Sequence, residues 1–314
     1  MSMLGTLVRE PVAPQGGRAL SFSRSVPGSL PSEDQLEEIV AEGLPTLPSY
    51  VFELDARLKA EPFDVKGVSW LIGADPCLAA QVLRICHAMP FAKPALRMEG
   101  VVAMAGKSRL QALALTSPLL RFPETPGRSA SQTQRMLHSF WQHSSWTALL
   151  SERLAGWTGY PDPEKAYVAG LLHDIGKVPL MVQGVFADGN EEESDHHAEI
   201  GRLLAEAWNY PPELIEAVAL HHCPRQAHVD PTLTGIVAAA DQYGGRCGLG
   251  FDLQEPRLSK PVMAEVVALL HACLPGLSGD NAVRVAEDLE NHLLAMLVAL
   301  GQRLFNGSIQ RQRY

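Results

Sequence analysis

Apolar residues along this chain recur at intervals of three and four positions, and the strict alternation of a half-buried strand is nearly absent. The first periodic run follows Ser32, whose spacing to Gln35 suits a helix-capping box. Asp64 and Asp75-Pro76 also mark helix starts, since Asp is a favoured cap and Pro is favoured at the first helical position. The pattern therefore predicts an all-α fold.

The same periodicity outlines the remaining helices. We expect them at about residues 49–58, 108–120, 134–157, 163–172, 199–208, 212–220, 233–243, 260–273 and 280–305.

Breaks in this pattern suggest the domain organisation. Residues 1–30 carry Pro, Gly, Ser and Arg without periodicity, which predicts a disordered lead-in. A Pro- and Gly-rich stretch at 123–129 separates an N-terminal helical part, 31–122, from a second helical core, 130–250. Residues 251–314 form a C-terminal helical extension.

Composition narrows the class of protein. The 314 residues suffice for one large domain or two of ordinary size, and 46% hydrophobic with 19% charged residues predicts a soluble globular chain. A formal net charge of -9 argues against nucleic acid as a general partner. Without a membrane-length apolar run or a signal-peptide pattern, we expect no membrane association and a cytoplasmic location. Five cysteines without CxxC spacing favour free thiols.

The candidate chemistry centres on Leu171-Leu172-His173-Asp174-Ile175-Gly176-Lys177. Imidazole and carboxylate groups are preferred ligands of divalent metals, and a nearby Lys can neutralise phosphate. The structural alternative is a helix C-cap, in which His is favoured by the helix dipole. That alternative leaves Asp174 unexplained, because a carboxylate at a helix C-terminus is unfavourable without a cation.

Four further segments add potential ligands, each with a structural alternative. His143 lies in an apolar helix, where a lone His is usually a half-buried core residue. His196-His197 follows an acidic loop; His196 suits a solvated position, whereas His197 precedes an inward-facing apolar pattern. His221-His222 ends a helix, and both could ligate one site only if that end faces it. Asp241 follows a small, apolar helical run and needs a partner there.

The combination argues for a metal site holding one or two ions. Nitrogen and oxygen ligands without thiolates suit Mn, Fe, Co, Ni or Zn. The predicted ligands are His143, His173, Asp174, His197, His221, His222 and Asp241.

These residues carry a family resemblance. The order His143, His173-Asp174, Asp241 resembles the HD-domain metallophosphohydrolase superfamily, and His197 with His221-His222 resembles its HD-GYP branch. The preceding half is similar to the HDOD family, the HD-related output domain, and the resemblance covers about residues 44–245. The segments that carry it are Leu44-Pro45-Thr46-Leu47-Pro48, Asp75-Pro76-Cys77-Leu78 with Leu83-Arg84, and Val102-Ala103-Met104-Ala105-Gly106 with Arg109-Leu110.

The resemblance implies an HD-like helical core with an N-terminal helical subdomain, in a bacterial signal-transduction protein. Many HDOD members lack the metal ligands that this chain retains. It departs from the family at His87-Ala88, where Asn-Ser is usual, and it has no Gly-Tyr-Pro loop after His222.

Two functional hypotheses follow. The first is a regulatory module that binds a signalling protein or a small phosphorylated ligand. The second is a metal-dependent phosphohydrolase or phosphodiesterase acting on a nucleotide or other phosphoester, with Asp174 and Lys177 as catalytic residues. In the second, Asp174 would bridge two ions and Lys177 would offset charge on the phosphoryl oxygens. A weaker third hypothesis is a relic fold with structural histidines.

Overall fold

The computed structural model describes residues 31–46, 48–89, 97–117, 130–182, 194–249 and 262–305. Regular structure in these ranges is helical and forms no strand, so the predicted all-α fold is confirmed. The helices are α1 (Glu33–Glu42), α2 (Pro48–Lys59), α3 (Val65–Gly73), α4 (Pro76–His87), α5 (Met98–Thr116), α6 (Ala130–Thr158), α7 (Pro163–Leu172), α8 (Lys177–Val182), α9 (Ser194–Ala207), α10 (Pro212–Leu220), α11 (Pro231–Arg246), α12 (Met263–Cys273) and α13 (Gly279–Phe305), with a 3-10 turn at Pro224–Gln226.

Side-chain caps start the N-terminal helices where the sequence predicts. Ser32 and Gln35 form the reciprocal capping box of α1. Asp64 accepts a hydrogen bond from Gly67 N at the start of α3, and Asp75 accepts one from Leu78 N at the start of α4. These caps satisfy amide groups that the first helical turn leaves without a partner.

Helix α5 joins two helical segments: the second agrees with the helix predicted from about residue 108, whereas the first, which begins at Met98, was not predicted. Gly106 interrupts it with a φ of 75°, in the left-handed region that glycine adopts without strain. The buried residues Val101, Val102 and Ala105 precede this kink. Their apolar periodicity does not continue through the kink, so the sequence pattern does not predict the first half of the helix.

The second part of the chain packs around α6, which contacts α7 and α11. Helices α6 and α7 approach closely at Gly170, where an added Cβ would lie 2.6 Å from Ser151 Oγ and 2.7 Å from Thr147 O. Glycine is required there because any side chain would force the two helices apart. This close packing places the C-terminal end of α7 beside the middle of α6.

Hydrogen bonds from aromatic side chains of the second part help to tie the two parts of the chain together. Trp141 Nε1 on α6 donates to Asp75 Oδ2 over 3.1 Å. Tyr167 Oη donates to Gly73 O over 2.7 Å, and Tyr210 Oη donates to Ala80 O over 2.6 Å. The buried apolar residues on both sides form one continuous core.

Some predictions fall outside the described residues, namely the lead-in 1–30 and the boundary segment 123–129. Among the helices that are described, none has the length and apolar character needed to cross a membrane. All five cysteines are free thiols, as expected.

Candidate metal centre

Five segments bring the seven predicted ligands to one place. His143 lies in the middle of α6, and His173-Asp174 lies just after α7. His197 belongs to the first turns of α9, which begins earlier than predicted. His221-His222 follows α10, and Asp241 lies within α11. His196, by contrast, is exposed, as a solvated histidine should be.

The first half-site consists of His143, His173 and Asp241 together with Asp174 Oδ2. His143 Nε2 lies 3.1 Å from His173 Nε2, 3.1 Å from Asp174 Oδ2 and 3.2 Å from Asp241 Oδ1. His173 Nε2 is 3.3 Å from Asp174 Oδ2. Two imidazoles and two carboxylates therefore point at one small volume.

The second half-site consists of His197, His221 and His222 together with Asp174 Oδ1. His197 Nε2 lies 3.2 Å from His221 Nε2 and 3.1 Å from His222 Nε2. Asp174 Oδ1 lies 3.0 Å from His197 Nε2 and 3.7 Å from His221 Nε2. Asp174 therefore presents one carboxylate oxygen to each half-site.

Backbone carbonyls fix the orientation of three of these histidines. His143 Nδ1 bonds Leu249 O over 3.1 Å, and His173 Nδ1 bonds Gly170 O over 2.8 Å. His221 Nδ1 bonds Val218 O over 2.8 Å. A carbonyl oxygen only accepts, so each Nδ1 must be the donor, which leaves a lone pair on Nε2 when the ring is neutral.

This arrangement fits a bound cation better than a set of structural histidines. Neutral rings of this tautomer repel where their Nε2 lone pairs face each other, unless a cation lies between them. Asp174 Oδ1 is buried and forms no hydrogen bond among the described residues, which is costly for a carboxylate oxygen. The donors are imidazole nitrogens and carboxylate oxygens, the ligand types of Mn, Fe, Co, Ni and Zn.

The electrostatics of the metal-free cluster centre on Asp174. Burial raises its pKa, but the charges of His173, Lys177 and His197 outweigh burial and hold that pKa well below the usual range. Lys177, the first residue of α8, forms an ion pair with Asp174 Oδ2. The carboxylate that a helix C-terminus disfavours is thus compensated by the ammonium group of Lys177.

His143 titrates differently from the histidines of the second half-site. Burial lowers the pKa of His143, but hydrogen bonds to Asp174 and Asp241 outweigh it and raise the pKa to about 9. For His197, burial and the Lys177 charge lower the pKa to about 4. Burial also lowers the pKa of His221 and of His222. Without metal, a proton on His143 takes the place of a cation in the first half-site.

Among the described residues, the centre is most exposed at Asp241 and His222. The side chains of His143, His173 and Asp174 are at most 2% exposed, whereas Asp241 is 16% exposed and His222 lies at the surface. A ligand therefore reaches the cluster past Asp241 and His222.

The sequence did not point to the groups that support this cluster. Three of them are backbone carbonyls, which every residue type carries. Glu216 on α10 is a fourth: its carboxylate accepts the amides of His228, Val229 and Asp230 over 2.5 to 3.0 Å. These bonds hold α10, which ends directly before His221, to the start of α11. In the sequence, the role of Glu216 is indicated only by its position within an apolar helix.

The fold and site define an all-helical, HD-like protein with a candidate two-metal centre. The HDOD domain family model matches residues 44–224, more than half of the chain. The chain therefore belongs to the HDOD family, as its motifs indicate.

Curated relatives match parts of the chain. Ribonuclease Y of Thermus thermophilus is 33% identical over 150 residues, which is 47% of this chain and 23% of that protein. An uncharacterized protein of Treponema pallidum is 23% identical over 223 residues, which is 63% of this chain and 42% of that protein. The chain spans less than half the length of these relatives.

Solved structures share the fold. The MmoQ response regulator of Methylococcus capsulatus superposes with a TM-score of 0.54 at 21% identity, over 78% of this chain and 98% of that one. A virulence factor of Campylobacter jejuni gives a TM-score of 0.55 at 17% identity, over 79% of this chain and 95% of that one. At these identities the likeness concerns the fold alone.

Proposed function

We propose that this HDOD protein is a metal-dependent phosphoester hydrolase that acts in signal transduction. The observation that carries the proposal is the position of Asp174, whose two carboxylate oxygens face two separate groups of metal-type ligands. A carboxylate that bridges two ligand groups is the arrangement expected of a two-metal phosphoester site.

The residues of each half-site would hold one ion. Divalent ions bound there polarise phosphoryl oxygens and make water a stronger nucleophile at neutral pH. His143, His173 and Asp241 would hold the first ion and His197, His221 and His222 the second, with Asp174 between them. Because the ligand atoms of each half-site already point towards one another, these side chains need to move little to bind an ion.

Lys177 would act on the substrate. Its ammonium group lies against Asp174 Oδ2 at the edge of the cluster, and its side chain is 12% exposed. A phosphoryl group arriving past Asp241 and His222 would meet this positive charge, which offsets the negative charge that develops on its oxygens.

A phosphodiester is the favoured substrate class. The relatives named ribonuclease Y align with almost half of this chain, and their name denotes cleavage of RNA phosphodiesters. The net charge of -9 argues against a long nucleic acid held by its backbone, so we propose a nucleotide-sized or short oligonucleotide substrate.

The test is a turnover screen on metal-loaded protein. Purified protein supplied with Mn²⁺, Co²⁺ or Zn²⁺ is assayed on bis(p-nitrophenyl) phosphate, p-nitrophenyl phosphate, cyclic dinucleotides and short single-stranded RNA. We expect metal-dependent cleavage of phosphodiesters that Asp174→Ala abolishes and that Lys177→Met lowers about 100-fold. His228→Ala, an exposed loop histidine outside the cluster, is the matched control and should keep full activity. Cleavage that survives Asp174→Ala would contradict the proposal.

The second candidate is a regulatory module that binds metal without turnover. Membership of the HDOD family favours it, and so does the hydrogen bond between Asp75 and Trp141 that ties the N-terminal helices to α6. Its partner would be a signalling protein or a small phosphorylated ligand. Bound metal without cleavage of any substrate in the screen would favour this candidate over hydrolysis.

A further inference from the structure

The two half-sites are unequal in the groups that support their ligands. In the first, both histidines donate Nδ1 to a backbone carbonyl, His143 to Leu249 and His173 to Gly170. In the second, His221 alone has such a bond, to Val218 O. His197 Nδ1 is buried with no hydrogen-bond partner among the described residues, and His222 lies at the surface.

These outer contacts matter because they hold a ring in its ligating orientation before metal arrives. A histidine with a bonded Nδ1 loses little freedom on binding, and the bond raises the basicity of Nε2. Loss of an outer-shell partner typically costs a metal site about 10- to 100-fold in affinity. On this ground alone, the second half-site should bind at least about tenfold more weakly.

The charges point the same way. The first half-site has Asp241 in addition to the shared Asp174, whereas the second has Asp174 Oδ1 and three imidazoles. Lys177 pairs with Asp174 Oδ2 on the side of the first half-site. When an ion displaces the proton from His143, Asp241 leaves the first half-site with a negative charge that the second lacks. A divalent cation therefore gains more there.

We infer that the half-sites fill in order. The first holds a resident ion, whereas the second takes up and releases its ion as the supply of free metal changes. This inference rests on the metal centre of the proposed function and adds a regulation to it: hydrolysis would require the second ion and would follow the metal concentration.

The test measures metal binding and not activity. Protein stripped of metal by chelation is titrated with Mn²⁺ in equilibrium dialysis, and the bound ion is followed by electron paramagnetic resonance. We expect two binding steps whose dissociation constants differ at least about tenfold. At one equivalent the spectrum should be that of an isolated Mn²⁺, and at two equivalents that of a spin-coupled pair.

Variants assign the two steps. His222→Ala should remove the weak step and leave the tight one unchanged, whereas His143→Ala should remove the tight step. His228→Ala, the exposed control, should keep both. Circular dichroism of each variant confirms that the helices are formed, so a lost step reports on a ligand and not on folding.

Three results would overturn the inference: equal affinities, a coupled-pair spectrum at one equivalent, or loss of the tight step in His222→Ala. The first two would still be compatible with a two-metal hydrolase. Folded protein that binds no Mn²⁺ at all, and none of the Co²⁺ or Zn²⁺ of the turnover screen, would refute the proposed function together with the inference.

Discussion

The turn at residues 173–176, which carries His173-Asp174, packs closely against helix α9, and the substitution Gly176→Ala tests this contact. An added Cβ at Gly176 would overlap the carbonyl oxygen of His197 and lie 2.5 Å from Gly201 N. Normal contact requires about 3.5 Å, so the turn and α9 must separate by about 1 Å or more. Since both contacts are backbone atoms, no side-chain rotation can relieve the overlap.

The consequences follow from that displacement. His197 would move away from Asp174 Oδ1, from 3.0 Å to about 4 Å, and the second half-site would open. We expect Gly176→Ala to lose about 1–3 kcal/mol of unfolding free energy in urea, as other overpacked sites do. A misplacement of about 1 Å should also cost about 100-fold in any metal-dependent turnover.

Gly156→Ala on α6 is the matched control. A Cβ there meets no atom within 4 Å, and alanine stabilises a helix interior relative to glycine by up to about 1 kcal/mol. It should therefore unfold at equal or higher urea concentration than the wild type. If Gly176→Ala is as stable as this control and retains both metal-binding steps, the turn does not approach α9 as closely as the structure indicates.

Three further predictions concern stability. Glu216→Ala should lower the unfolding free energy by about 1.5–3 kcal/mol, because three partly buried backbone amides lose a charged acceptor; a loss below about 1 kcal/mol in urea unfolding would argue against that role. Saturating Mn²⁺, at 100 times its dissociation constant, should add about 2.7 kcal/mol that EDTA removes, as measured by thermal unfolding; an unchanged Tm would count against metal binding. Burial raises the pKa of Asp75 from 3.8 to about 6, so the native state binds this proton more tightly than the unfolded chain does. The unfolding free energy should therefore fall as pH rises from about 4 to 6. Asp75→Asn should remove this pH dependence, and an unaltered dependence would exclude Asp75 as its source.

The sequence predicted helices well where a side chain caps them or one face is buried. It missed two features for physical reasons. The first half of α5 is separated by the kink at Gly106, so its apolar period does not join the second half. Helix α8 has only six residues, and Val178 to Val182 are all buried, so no polar face marks it as a helix.

The site was predictable to the level of residue type. Most of the proposed ligands, such as His143 and Asp241, are polar side chains within or beside apolar helical segments, and burial of such a group needs a partner. The φ of Gly176 is not in the left-handed region, and the structure shows that glycine is needed there for the close approach of α9. The backbone carbonyls of Leu249, Gly170 and Val218 that orient the histidines cannot be recognised from the sequence, because every residue has a carbonyl. For this reason the inequality of the half-sites emerges only from the structure.

The regulatory and hydrolytic hypotheses can describe one protein, because the N-terminal helices form hydrogen bonds with the helices that carry the metal ligands. Asp75 caps α4 and accepts a hydrogen bond from Trp141, which lies two residues before His143 on α6. Two residues of a helix span about 3 Å along its axis, so a displacement of α4 that moves Trp141 would also move His143 and the first half-site. Tyr167 makes a parallel link from α7, one and a half turns before His173, to Gly73 at the end of α3. A partner that binds the N-terminal helices could therefore alter the geometry of the ligands without touching them.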